Sequence, residues 1–172
     1  SRAEEVLKKV EEEVKKLEDE LRRSSERNNR ESRRLEDELK KVLDKNRKLV
    51  EDLRRARLDE EDVRRTLEES EEENREIDKR ARDELRKMEE ENKDVLRKAR
   101  EKLERIRKEI EEANLPKEVV DELRRVLERL RRVIEDVIRR NKEDTDRLER
   151  EIERVRKELK DINKKLEEDV RR

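Results

Sequence analysis

Apolar residues recur in this chain at alternating steps of three and four, and that spacing suits a helix that buries one narrow stripe. The first run reads Ala3, Leu7, Val10, Val14, Leu17 and Leu21, and resumes at Leu35, Leu39, Val42, Leu49, Leu53 and Ala56. A second passes through Val63, Leu67, Ile77, Ala81, Leu85, Met88, Val95, Ala99, Leu103, Ile106, Ile110 and Ala113. A third follows from Val120 through Leu130, Ile134 and Val137 to Leu148, Ile152, Val155, Leu159, Ile162, Leu166 and Val170. Extra four-residue steps at Asn28–Ser32 and Ala81–Leu85 are stutters that locally unwind a supercoil. The alternation that marks a strand is absent, so the chain is expected to be all-α.

Two breaks divide the pattern. In Ala113-Asn114-Leu115-Pro116, Asn114 is suited to end one helix, and the only proline is suited to the first turn of the next. The earlier break lies at Ala56-Arg57-Leu58-Asp59, where Asp59 can cap a helix whose first turn is acidic. There Leu58 and Val63 have the spacing of a hydrophobic staple. The breaks align at an offset of 57 residues, close to one third of the 172-residue chain. Equal thirds suit an up-down-up three-helix coiled-coil bundle with helices of about 54 residues, each roughly 80 Å long. The expectation is a single bundle over 1–172, with helix 1 at about 2–57, helix 2 at about 60–113 and helix 3 at about 116–171. The seam phase also runs through both breaks, so an uninterrupted helix from 2 to 113, in an extended oligomer, is the alternative.

Composition fits narrow seams. Charged residues make up 63% of the chain and apolar ones 27%, and two seam positions per heptad need roughly 28%. So polar a chain could be disordered, but a net charge of −1 and the persistent helical period argue for folding. The 54 Lys and Arg are interleaved with 55 Asp and Glu, and there is no aromatic residue. No basic stripe can track phosphates and no ring can stack on a base, so nucleic acid is not an expected partner. No apolar run approaches the ~20 residues that span a bilayer, and Ser1–Val10 has no signal-peptide pattern. A soluble chain is expected, and its location is unread.

The seam is interrupted by small polar residues: Ser25, Asn28, Ser32 and Asn46 in helix 1, Ser70, Asn74 and Asn92 in helix 2, Asn141 and Thr145 in helix 3. Asn163 lies beside the seam, while Ser24, Asn29 and Thr66 are expected to face solvent. With level helices, Asn46 meets Ser70, Ser25 meets the neighbourhood of Asn92, and Asn28 lies beside Asn141. Helices 1 and 3 would run parallel at an offset near 114. Two polar layers are therefore expected. One is central (Ser25, Asn28, Asn92 and Asn141, with Ser32 and Thr145) and one lies nearer the first turn (Asn46, Ser70 and Asn74, with Asn163). An unpartnered buried amide costs about 1–3 kcal/mol, so satisfied layers disfavour any register that breaks them.

Ser24, Ser25, Ser32 and Ser70 carry hydroxyls, but the chain has no His to activate them and no Cys, and no single Lys or Glu stands out as a base. No enzyme is expected. Glu71, Glu72 and Glu73 could hold a hard cation loosely, yet they form no calcium-binding loop and read as a solvated helix face. No cofactor or metal is expected. Val6, Leu43, Val50, Leu96, Val119, Val126, Val133 and Ile138 lie just off the seam, where they either widen the core or form a strip for a partner helix.

Equal segments, glycine-free turns at Arg57-Leu58-Asp59 and Asn114-Leu115-Pro116, a surface of Glu, Lys, Arg and Asp, and layered Asn, Ser and Thr run through the whole chain. In these features it resembles de novo designed helical bundles with buried hydrogen-bond networks. The resemblance implies a structural scaffold without natural biochemical activity, whose polar layers specify register. A monomer that requires no partner is then expected. The alternative is an interaction module, either an open partner for a further helix or a protomer of a homo-oligomer.

Overall fold

The computed structural model describes residues 1–171. Three helices, α1 (Arg2–Ala56), α2 (Glu60–Glu112) and α3 (Lys117–Arg171), pack as an all-α bundle and account for nearly all of the chain. Three of the four helix ends that flank the turns differ from the expected bounds by a single residue, and α2 begins at 60 as expected. The turn after Ala56 excludes a continuous helix from 2 to 113.

Both turns are built alike. Arg57 and Asn114, 57 positions apart, each adopt a left-handed backbone with φ of 49° and 47°. That conformation stops a helix at its C-terminal end, and Asn tolerates it better than Arg. Asp59 caps α2, with its Oδ1 accepting from the Asp62 backbone N–H at 2.9 Å and its carbonyl accepting from Val63 N at 3.1 Å. Pro116 sits one position earlier than expected, as the cap of α3, where its carbonyl accepts from Val120 N at 3.1 Å. The locked φ of proline and its missing N–H cost nothing there. Leu58 is 41% exposed, whereas its counterpart Leu115 packs on the core of its own turn. Leu58 lies in a turn whose neighbours Arg57 and Asp59 are both exposed, so there is little apolar surface for it to cover.

The chain divides into two compact units, each containing a stretch of all three helices. Unit 1 comprises Ser1–Asn29 and Met88–Asp144, and its core is a stack of aliphatic side chains. Val10, Val14 and Leu21 from α1, Ala99 and Ile106 from α2, and Leu123, Leu130 and Val137 from α3 are almost wholly buried. Each Leu or Val buried in this way contributes about 1.5–3 kcal/mol. Unit 2 comprises Arg30–Lys87 and Thr145–Arg172, and one of its clusters joins Val50 and Leu53 to Val63, Leu67 and Leu166 near the first turn.

The off-seam residues widen these cores. Val6, Leu96, Val119, Val133 and Ile138 pack against the unit 1 cluster, while Leu43, Val50 and Val126 are themselves buried. Among the described residues Leu58 is the one large hydrophobic side chain that is exposed, so no apolar strip runs along the surface.

Cross-helix pairs give the register within each unit. In unit 1 the α1–α2 separation falls from 82 residues at Glu20–Lys102 to 64 at Asn28–Asn92. In unit 2 it falls from 50 at Arg34–Glu84 to 24 at Asn46–Ser70. Both trends describe an antiparallel pair closing toward a turn. Helices α1 and α3 run parallel, with separations of 115 at Asn29–Asp144 in unit 1 and 111 to 117 in unit 2.

Candidate functional site

Asn and Ser side chains of the seam form a hydrogen-bonded layer in each unit. In unit 2 the layer is centred on Asn46, which is 3% exposed. Asn46 Nδ2 donates to Asn163 Oδ1 at 3.0 Å, and Asn46 Oδ1 accepts from Ser70 Oγ at 3.1 Å and from Asn74 Nδ2 at 3.3 Å. One amide on α1 therefore ties both other helices. Asn163 is 1% exposed and fully part of the layer, although its position beside the seam gave only a weak indication of this.

In unit 1 the layer is a chain of three amides. Asn141 Nδ2 donates to Asn92 Oδ1 at 3.3 Å, and Asn92 Nδ2 donates to Asn28 Oδ1 at 3.1 Å. The chain ends at Asn28 Nδ2, a buried donor without a hydrogen-bond acceptor. The partner of Asn92 is thus Asn28, about one helical turn from the expected neighbourhood of Ser25. Ser25 is buried but stands outside the chain of amides. Ser32 and Thr145 are buried in unit 2, and each has a partner of its own.

Three α2 residues need correction. Ser70, Asn74 and Asn92 are half-buried, not buried. Asn74 lines an open cavity, and Asn92 is followed by Val95 and Leu96, which are also only half-buried, so α2 presents these groups at an edge that water reaches. Of the three residues expected to face solvent, Ser24 is buried, and Asn29 is exposed yet donates to the buried Asp144 at 3.0 Å. Thr66 returns its hydroxyl to the Asp62 carbonyl at 2.9 Å, which satisfies it within its own helix.

Three buried carboxylates had not been anticipated: Glu18, Glu36 and Asp144. Each continues a row of core residues at seven-residue intervals: Glu18 precedes Ser25 and Ser32, Glu36 precedes Leu43 and Val50, and Asp144 follows Leu130 and Val137. That spacing was the available signal. Glu36 accepts from Arg147 Nε at 2.7 Å, which compensates its buried charge. Glu18 is paired less closely, to Arg129 at 3.7 Å and Arg22 at 3.8 Å, and its Oε1 lacks a hydrogen bond.

Perturbed acids elsewhere follow from simple neighbours. Glu31 is held below the usual carboxylate range mainly by a hydrogen bond from Arg34, and Glu151 likewise by Arg154. Burial pushes the Glu71 carboxyl up, and the charge of Glu167 adds to the effect. Glu71 is half-buried and not part of a fully solvated face, unlike the exposed Glu72 and Glu73.

Among the described residues no group of three or more acidic, His or Cys side chains is placed to hold a metal ion. No helix among them is long and apolar enough to cross a membrane. What the geometry defines is a three-helix bundle pinned by hydrogen-bonded amide layers. No protein-family model, no curated protein and no solved structure matches the chain.

Proposed function

We propose that this chain is a structural scaffold: a designed helical bundle without natural biochemical activity, whose Asn, Ser and Thr layers specify register and oligomeric state. The observation that carries this reading is the Asn46 amide, which spends one donor and its acceptor on three partners from two other helices. A helix shifted by one turn would leave those groups buried and unpaired, at about 1–3 kcal/mol each. Polar seam residues are the best-attested means of excluding such shifts. The off-seam aliphatics, spent on widening the core, support closure of the three helices on one another over an open face awaiting a fourth.

The test is the mass of the intact chain by light scattering, followed by the mass of a variant whose layers are made apolar. The scaffold reading expects a monomer that becomes heterogeneous when the layers are removed. A wild-type dimer, or a layer-free variant that stays a uniform monomer of unchanged register, overturns it. The dimer would favour a protomer of a homo-oligomer.

A further inference from the structure

Beside the Asn46 layer, unit 2 contains a cavity of about 390 Å³. Its floor is aliphatic, with Leu39 and Val42 from α1, Ile77 from α2, and Ile152, Val155 and Leu159 from α3. Ile152 and Val155 are each only 2% exposed, so this floor is continuous with the core. The chain has no aromatic side chain to fill such a space. The volume falls in the range that encloses small molecules, and a mostly apolar wall with a few placed polar groups is the usual make-up of such sites.

The occupant is small. On α2 the lining runs only from Glu71 to Asp78, about two helical turns. A stable protein partner needs roughly 1,200 Å² or more of total buried surface, and the exposed, charged Arg75, Arg156 and Lys160 are part of the lining.

Asn74 and Asn163 line the end of the cavity nearest the layer. The layer uses the Nδ2 of Asn74 and the Oδ1 of Asn163. Their remaining groups are complementary: the Asn163 amide can donate and the Asn74 carbonyl can accept. A hydroxyl satisfies both at once. A carboxylate would set an anion against the Asn74 carbonyl, and an ammonium would set a cation against the Asn163 N–H groups.

We propose that this cavity binds a medium-chain aliphatic alcohol, with its hydroxyl accepting from Asn163 Nδ2 and donating to Asn74 Oδ1 and its chain on the aliphatic floor. Removal of the chain from water supplies the driving force, and the two amides supply orientation.

Titrating the intact, isotope-labelled chain with n-octanol should give saturable shifts in its nuclear magnetic resonance spectrum at Ile77, Val155 and Asn163. The n-octyl methyl ether, which cannot donate, should bind about tenfold more weakly, as expected for one lost hydrogen bond. Ile77→Phe and Val42→Met, made separately, each add side-chain volume over the floor without touching the layer and should reduce octanol affinity by a similar factor. Circular dichroism checks that each variant keeps its helix content, and if one fails to fold the other carries the test. Shifts that never saturate, or that fall outside these residues, overturn the site. Equal affinity for the ether, or unchanged binding in a folded filled variant, overturns the assigned pose.

Discussion

Asn46 and Asn163 lie 117 residues apart in the chain, and their side-chain amides meet at 3.0 Å in a part of unit 2 where they are 3% and 1% exposed. A neutral hydrogen bond contributes only about 0.5–1.5 kcal/mol net, but a buried group left without its partner costs more. Asn46→Leu abandons the Asn163 carbonyl and two donors from α2 together. Equilibrium denaturation should show a loss of about 1–3 kcal/mol. The fourfold variant Asn46→Leu, Ser70→Ala, Asn74→Leu and Asn163→Leu should recover that loss or exceed it, because no buried polar group is then left over. A single variant as stable as wild type would mean that water replaces the lost partners.

Asn28 offers the contrast. Its Nδ2 is already unpartnered, and the Asn92 side chain that donates to it is half-buried and within reach of water. Asn28→Leu should therefore change stability by no more than about 1 kcal/mol in either direction. The α2 members of both layers are half-buried, so comparing the denaturation midpoints of Asn28→Leu and Asn46→Leu measures what the buried Asn163 carbonyl adds to the second loss.

The turns predict a different kind of gain. Arg57 holds φ at 49°, which is unfavourable for a side chain with a Cβ. Arg57→Gly should raise stability by about 0.5–1 kcal/mol, part of the relief being offset by the greater freedom of glycine when unfolded. Asn114→Gly, at φ 47°, should give less, since Asn tolerates this region. Thermal melts of the two variants rank them directly.

Stability should respond to acid in two opposed ways. Glu31 and Glu151 have lowered native pKa values, so their contribution is present above the unfolded pKa and disappears as pH falls through the folded one. Glu31→Gln and Glu151→Gln should flatten the acid limb of a stability–pH curve below about pH 4–5. Glu71 is raised, so its ionised form costs stability at neutral pH, and that cost vanishes as pH falls through its folded pKa. Glu71→Gln should stabilise at pH 7, by less than about 1 kcal/mol given its partial exposure, and should match wild type near pH 4.

The buried carboxylate of Glu36 gives a fifth expectation. Arg147 donates to it at 2.7 Å and is itself 32% exposed. A double-mutant cycle of Arg147→Met and Glu36→Gln should report a coupling of about 1.5–3 kcal/mol. Arg64 with Glu60, about half exposed on both sides, should give well under 1 kcal/mol. Equal couplings would mean that burial does not set the strength of these pairs.

Much of the fold was legible because a heptad repeat leaves few choices. Steps of three and four place the stripe, Asp59 and Asn114 mark the breaks, and the position of the first turn leads to the register that pairs Asn46 with Ser70. What escaped was set by the exact azimuth of each helix. A seven-residue row does not say whether its charged member points inward, so Glu18, Glu36 and Asp144 passed for surface residues. Asn92 meets Asn28, about one turn from Ser25, because a pairing counted from the turn fixes the facing position only to within a turn. The half-burial of Asn74 goes with the cavity it lines, and a cavity is a property of three helices at once.

The three bonds of Asn46 also differ in how far the chain must travel to make them. Ser70 and Asn74 are 24 and 28 residues away, whereas Asn163 is 117. Closing the longer loop from an unfolded chain costs about 1.4 kcal/mol more than closing the shorter one. The carbonyl of Asn46 can thus be engaged as soon as the first hairpin forms, while its amide donor must wait for α3. During folding, the unspent half of that one side chain is a latch that only the last helix, in the right register, can close.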